Sequence, residues 1–223
     1  MGLIRKTFAA GLVGVGAGVG YLTTATTFTS PLRKDDPLMQ SSILRKLNKN
    51  QNPVLSDICV KRVPLSKIRP ELRNDEAALS TEFCRAVWSG WALAPQRFVQ
   101  SKTSHGAATA EQLWDKADLA SSTYEVGTQF VDHFEVVERS STDVMVRAGG
   151  SPLDQGPREL EGLLLTSVRI DRAAGEVKLS LASVFFKGQE RVTDGSGPAP
   201  YPVEILHQLY ARALVVAGSQ GVQ

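Results

Sequence analysis

Apolar and polar residues alternate most clearly in the last third of the chain. One side of this alternation is apolar apart from a single serine, and it reads Val177, Leu179, Leu181, Ser183 and Phe185. A period of two is the period of a β-strand, whose successive side chains point to opposite faces. By the same reasoning we predict strands over residues 128–137, 143–148, 160–170 and 176–186, joined by turns that favour antiparallel pairing.

A spacing of three and four residues predicts one helix on each side of these strands. The first begins at Asn74–Asp75, and its apolar face is formed by Leu79, Phe83, Val87, Trp91, Ala94 and Phe98. We expect Pro95 to kink it, because the proline ring clashes with the preceding turn and donates no backbone hydrogen bond. The second runs over about residues 203–217, with a stripe formed by Val203, Leu206, Tyr210, Ala213, Leu214 and Ala217.

The order of these elements predicts an α+β fold. A short strand, DICVKRVPL, precedes the helices, the antiparallel strands and the long C-terminal helix, and no βαβ crossover is indicated. A curved sheet on a terminal helix resembles the helix-grip arrangement of START-like domains. A hotdog fold and a nuclear-transport-factor-like cone share this plan and remain alternatives. All three enclose an apolar cavity between sheet and helix, which is the default place for a ligand.

The N-terminal region carries no charged residue over positions 7–32. A helix of this length crosses a hydrocarbon core of roughly 30 Å, although threonine and glycine dilute its hydrophobicity. We therefore expect residues 1–35 to be a hydrophobic segment that anchors the chain in a membrane by a single pass, with the domain facing the cytosol. Since no acidic residue precedes Asp35, a mitochondrial presequence is an alternative, and a cleaved secretory signal is another.

The remaining chain divides at the end of a polar stretch. Residues 36–53 contain Pro37, Pro53 and the run NKNQN, which predicts a linker with a short helix over Ser42–Leu47. Residues 54–223 then form the α+β ligand-binding domain.

Composition narrows the classes of function. The net charge of +2 comes from scattered basic residues, which gives no reason to expect a nucleic-acid partner. The two cysteines, Cys59 and Cys84, are too few for a disulfide framework, and no histidine or cysteine spacing resembles a zinc site. The glycine run at positions 14–20 has no strand before it and no βαβ unit after it, so it is not a dinucleotide loop. We expect neither a metal nor a cofactor.

Polar residues inside apolar strand patterns are the candidates for chemistry. In QFVDHFEVV, Asp132 shares its parity with Phe130 and Phe134, whereas His133 shares the other face with Glu135. The pattern leaves open which of the two faces points into the cavity. A buried carboxyl or imidazole there is suited to general acid or base catalysis, and a solvated strand face is the simpler alternative.

The last helix and the strand ends add further candidates. His207 and Tyr210 lie three residues apart on one helix, so they are neighbours on its surface. Arg147 precedes the GGSP loop and is suited to pair with a carboxylate, either of a substrate or of Glu161. The candidate catalytic residues are Asp132, His133, Arg147, His207 and Tyr210, and the candidate substrate-binding residues are Trp88, Trp91, Phe130, Phe134, Ser183 and Phe185.

Several segments resemble one family of small fungal proteins encoded beside polyketide synthases. They are DICVKRVPLSKIRPEL, FCRAVWSGW, LWDKADLASSTYEVGTQFVDHFEVVE, VMVRAGGSP, ELEGLLLTSVRI, VKLSLASVFFKG and LHQLYARAL. The family recurs in clusters that make pyrone-capped polyenes of the aurovertin type. The resemblance implies an accessory enzyme that binds a hydrophobic polyketide and promotes its cyclisation or lactonisation by acid–base catalysis, with a polyketide synthase as partner. A non-catalytic carrier of lipids or polyketides, tethered to a membrane, is the alternative.

Overall fold

A computed structural model describes residues 18–223 of the chain. Its centre is an antiparallel sheet of seven strands in the order β1-β2-β7-β6-β5-β4-β3. The strands are β1 (Thr27–Thr29), β2 (Leu55–Pro64), β3 (Gln129–Phe130), β4 (Phe134–Arg139), β5 (Asp143–Ala148), β6 (Leu160–Asp171) and β7 (Glu176–Lys187). The predicted α+β class with an antiparallel sheet and a C-terminal helix packed on it is confirmed.

Five α-helices follow the helical residues 18–25 at the start of the described chain. They are α1 (Ser42–Leu47), α2 (Glu76–Ser89), α3 (Ala94–Thr103), α4 (Lys116–Ser121) and α5 (Tyr201–Gly221). Helix α5 packs against α2 and against β2 and β7. The cavity described below therefore lies between the sheet and its C-terminal helix.

Both faces of the sheet are covered. Alternate residues of β7 show this, since Leu181 packs towards the helices and Val184 packs towards residues 32–47 on the outer face. Each large apolar side chain buried in this way contributes about 1.5–3 kcal/mol relative to exposure. The two layers together fix the strand register, because a slip of one residue would exchange the two sets of side chains.

The predicted single-pass membrane localisation is wrong for the part of the chain that the structure describes. No helix within residues 18–223 is both long and apolar enough to cross a bilayer. The end of the predicted span instead forms β1, in which Phe28 pairs with Cys59 of β2. Arg212 of α5 donates to Thr26 Oγ1 at 2.7 Å, and Leu32 is buried. The start of the predicted span, residues 7–17, lies outside the described residues.

Residues 36–53, predicted as a linker, lie against the outer face of the sheet. The short helix appears over the predicted residues, Ser42–Leu47, and Ser41 caps it by accepting a hydrogen bond from the backbone N–H of Ile43. Leu38 and Leu44 are buried against Leu163 and other residues of that face. The segment completes the second half of the hydrophobic core.

The predicted kinked helix is two separate helices. Helix α2 ends at Ser89, and Pro95 lies in the first turn of α3, where its missing N–H leaves no helical hydrogen bond unmade. Gly90 lies between them, and a Cβ there would be 2.5 Å from the carbonyl oxygen of Ala86. Because the chain turns at this point, Trp91 and Phe98 leave the apolar face and are 53% and 65% exposed.

Candidate functional site

A small cavity lies between the helix-facing side of the sheet and α5. Its volume is about 80 Å³. The lining side chains are mostly apolar, with two histidines, a tyrosine and a glutamine among them, and they are Trp88, Gln96, His133, Phe134, Ala148, Leu164, Leu181, Phe185, His207, Tyr210, Ala211 and Leu214. A larger depression of about 680 Å³ at the other end of the sheet is lined mainly by charged side chains, including Arg62, Glu76 and Arg172. The small cavity is the better candidate site because it combines apolar surface with groups that exchange protons.

His207 is held in the cavity wall by two buried side chains from neighbouring strands. Its Nε2 lies 2.9 Å from Asp57 Oδ2 and 3.0 Å from Ser183 Oγ. Ser183 in turn donates to Asp57 Oδ1 at 2.7 Å. Asp57 and Ser183 are each 1% exposed, and they face each other across β2 and β7. The His207 ring also packs against Phe185 in a T-shaped arrangement, so both polar contacts and packing fix its orientation.

His133 reaches the cavity because the chain turns sharply just before it. Val131 and Asp132 have φ of 57° and 43°, and the N–H of His133 donates to the carbonyl oxygen of Phe130 at 3.3 Å. Positive φ at both central residues is the geometry of a type I′ hairpin turn. The predicted single strand over residues 128–137 is therefore a hairpin of β3 and β4. The alternation of side chains between the two faces of the sheet is interrupted at its turn.

The surroundings of His133 favour its neutral form. Burial lowers the pKa of His133, and the positive charge of Arg158 lowers it further. A neutral imidazole has one N–H donor and one acceptor nitrogen, so at neutral pH it both donates and accepts hydrogen bonds. His133 is therefore suited to hydrogen-bond a carbonyl or enol group of a ligand.

Asp132 forms hydrogen bonds at the hairpin turn and does not line the cavity. Its backbone N–H donates to Gln112 Oε1 at 2.7 Å, and its carboxylate accepts a hydrogen bond from Ser151 Oγ. These contacts tie the hairpin turn to the loop that follows β5. The structure gives Asp132 a role in holding the turn and no contact with the cavity.

Arg147 lies on the opposite face of the sheet from the cavity. The next residue, Ala148, lines the cavity, so alternation along β5 directs Arg147 outwards. Its guanidinium forms a two-point ion pair with Glu161, with Nε 3.0 Å from Oε2, and both side chains are buried. The sequence left open whether Arg147 pairs with a substrate carboxylate or with Glu161, and in the structure its partner is Glu161.

The aromatic candidates fall into three groups. Trp88, Phe134 and Phe185 line the cavity. Phe130 is fully buried behind Phe134, with ring centroids 5.0 Å apart. Trp91 lies at the surface, where its Nε1 donates to Gln220 at 3.0 Å.

Tyr210 links the cavity to α3. Its hydroxyl donates to Gln96 Oε1 at 2.7 Å, and burial raises its pKa, so the phenol stays protonated at neutral pH. Gln96 is the cavity-lining residue of α3, a helix in which no residue is buried. The wall that α3 provides is therefore held by fewer contacts than the walls formed by the sheet and α5.

No family model, curated protein or solved structure matches this chain. Within residues 18–223 there is also no group of three or more histidine, cysteine or acidic residues arranged to hold a metal ion. The functional interpretation therefore rests on the residues of the cavity.

The most informative residue missed in the sequence is Asp57. It lies in LSDICV, where a carboxylate stands among residues suited to a buried strand. That local signal indicates a carboxylate in the core. A buried carboxylate needs a hydrogen-bond donor or a positive charge as its partner. The partner, His207, is far along the chain, and the pairing follows only from the register of β2 with β7 and the position of α5.

Proposed function

We propose that this chain is an accessory enzyme of polyketide biosynthesis that binds a hydrophobic polyketide and promotes its cyclisation by acid–base catalysis. The observation that supports this most is His207, which lines an apolar cavity while a buried carboxylate and hydroxyl hold its ring. Of the five candidate catalytic residues, His133, His207 and Tyr210 line the cavity. The segments that resemble polyketide-cluster proteins support the choice of substrate class, and a polyketide synthase is the proposed partner.

We propose the helix-grip arrangement as the finer description of the fold. It is supported by the 21 residues of α5, by their packing on β2 and β7, and by a cavity between that helix and the sheet. In such an arrangement the ligand lies along the terminal helix. Its reactive end would then face His207 and His133.

The size of the cavity requires that a polyketide widen it on binding. Its volume is about 80 Å³, whereas pockets for drug-sized ligands hold about 300–1,000 Å³. Helix α3 is the wall best suited to move, because none of its residues is buried and Tyr210 holds Gln96 by one hydrogen bond. In the proposed mechanism the ligand displaces α3 and extends along α5.

The proposed reaction closes an α-pyrone from a 3,5-dioxo thioester. The enol oxygen on C5 attacks the thioester carbonyl carbon, a C–O bond forms, and the C–S bond breaks. His207 accepts the enol proton and returns it to the departing thiolate, so the products are the 4-hydroxy-2-pyrone and a free thiol. His133 hydrogen-bonds a carbonyl oxygen of the chain, and the cavity holds the two reacting ends close together.

The test uses 3,5-dioxo thioesters of N-acetylcysteamine with alkyl chains of increasing length. We expect the protein to accelerate pyrone formation above the spontaneous rate, and His207→Gln to reduce the rate constant by about 10²–10⁴-fold, the usual contribution of a general base. His105→Gln is the matched control, because His105 is exposed and packs against Trp114 instead of lining the cavity.

Binding without acceleration would overturn the catalytic role and favour a carrier of hydrophobic molecules. Absence of both binding and acceleration at every chain length would overturn the polyketide proposal altogether. An equal loss of rate in His105→Gln and His207→Gln would show that the effect does not arise at the cavity.

A further inference from the structure

Two side chains behind the cavity wall bear on how His207 exchanges a proton. We infer that Asp57 is a positioning residue, which holds His207 as the tautomer protonated at Nε2 and leaves Nδ1 for the ligand, and that Ser183 orients the Asp57 carboxylate. The catalytic meaning of this inference rests on the proposed function, whereas the tautomer itself does not.

The hydrogen bonds define the direction of each proton. Ser183 has a single hydroxyl proton, and it points to Asp57 Oδ1 at 2.7 Å. Towards His207, at 3.0 Å, Ser183 Oγ is therefore an acceptor. An ionised Asp57 carboxylate is also acceptor-only, and its Oδ2 lies 2.9 Å from the same nitrogen. Both contacts are satisfied only when Nε2 carries a proton.

The opposite tautomer would leave the Asp57 carboxylate without a satisfied contact. The Nε2 lone pair would face Asp57 Oδ2, and the Ser183 hydroxyl could donate to Nε2 only by turning its proton away from Asp57 Oδ1. Asp57 is 1% exposed, so water does not replace the lost donor at the carboxylate. The structure thus selects one of the two neutral forms of the ring.

Nδ1 is therefore the nitrogen of His207 that is available to exchange a proton with a ligand. Within residues 18–223 it makes no hydrogen bond, and its ring lines the cavity. In the neutral ring Nδ1 has a lone pair and acts as a base. After it accepts a proton, the imidazolium keeps its Nε2–H on Asp57, and Nδ1–H becomes the acid that returns the proton.

The test is the tautomer of His207, measured by NMR on protein labelled with ¹⁵N-histidine at a pH where the ring is neutral. The chain has three histidines, so His207→Gln identifies the signals of interest by their loss. We expect the wild type to show Nε2–H as the dominant form. In Asp57→Asn the amide competes to donate to Nε2, and we expect a mixture with a substantial Nδ1–H population.

Ser183→Ala is the matched control, because it keeps the carboxylate and should keep the Nε2–H form. A wild-type ring protonated at Nδ1 would overturn the inference, even if Asp57→Asn failed to fold. An unchanged tautomer in a folded Asp57→Asn protein would overturn the role of Asp57. Since no substrate is present, these results are independent of whether the chain cyclises a polyketide.

Discussion

His133 shows how strongly one turn changes what a residue can do. In a continuous strand it would share a face with Glu135, but the positive φ of Val131 and Asp132 brings it beside Phe134 at the cavity. Alternation alone does not mark this turn, because the pair Val131–Asp132 lacks the glycine that the Asn-Gly, Asp-Gly and Gly-Gly pairs of type I′ turns share. The choice between Asp132 and His133, open in the sequence, is settled by backbone geometry.

The lowered pKa of His133 predicts a dependence of stability on pH. The pKa of an unfolded histidine is about 6.5, whereas the folded His133 ring takes up its proton only at lower pH. Stability from His133 is therefore present above the unfolded pKa, and it is lost as pH falls from there through the folded pKa. Denaturant unfolding of wild type and His133→Asn between neutral and mildly acidic pH measures this. We expect a steeper loss in the wild type, and parallel profiles would contradict the assignment.

The pair of Arg147 and Glu161 illustrates why site residues were partly misplaced. The sequence placed Arg147 at a strand end beside a loop, which also suits a substrate carboxylate. In the structure Arg147 and Glu161 belong to neighbouring strands, on the face away from the cavity. Neighbouring residues of a strand point to opposite faces of the sheet, so an error of one residue moves a side chain from the cavity to the outer face. Local sequence alone therefore does not show whether a residue such as Arg147 faces the cavity.

Helix α3 is the element whose behaviour matters most for ligand access. A ten-residue helix that buries no residue gains little from tertiary packing, and isolated helices of this length are marginal in water. Helix α2, by contrast, buries Phe83, Val87 and Trp88. The two helices read as one apolar pattern in the sequence, yet they differ in how firmly they are held.

We predict that α3 exchanges its amide hydrogens faster than α2 and α5. The physical reason is that α3 has no buried side chain of its own to lose on local opening, which breaks the single hydrogen bond between Tyr210 and Gln96. Hydrogen exchange followed by mass spectrometry measures this, and Tyr210→Phe should raise exchange in α3 further while leaving α2 unchanged. Protection of α3 equal to that of α2 would contradict its role as the movable wall.

For the molecule as a whole, the central strands were the most predictable part. Strand β5 occupies the predicted residues, and β6 and β7 each extend only one residue beyond the prediction, because alternating residues there pack against covers on both faces. The N-terminal region was the least predictable. Its lack of charge suggested a membrane helix, whereas Phe28 and Leu32 find their apolar surroundings in the domain itself. The lack of charged residues shows that this segment is apolar enough to be buried, but it does not show whether the segment is buried in a membrane or in the domain.

The cavity unites elements that are distant along the chain. Asp57, Trp88, Ser183 and His207 come from β2, α2, β7 and α5, and only the assembled sheet and helices bring them together. Sequence patterns identified His207, Trp88 and Ser183 one at a time. The carboxylate that orients His207 became apparent only from the tertiary structure.

The most direct test of the account is whether a ligand occupies this cavity. We propose to measure the affinity of a 4-hydroxy-2-pyrone product by isothermal titration calorimetry. Ala148→Leu and Ala211→Leu fill the cavity from the sheet and from the helix, and both residues line it. We expect each filled variant to unfold cooperatively yet bind about tenfold or more weakly, which is about 1.4 kcal/mol or more, while His207→Gln keeps its affinity. Unchanged affinity in both folded, filled variants would contradict the account.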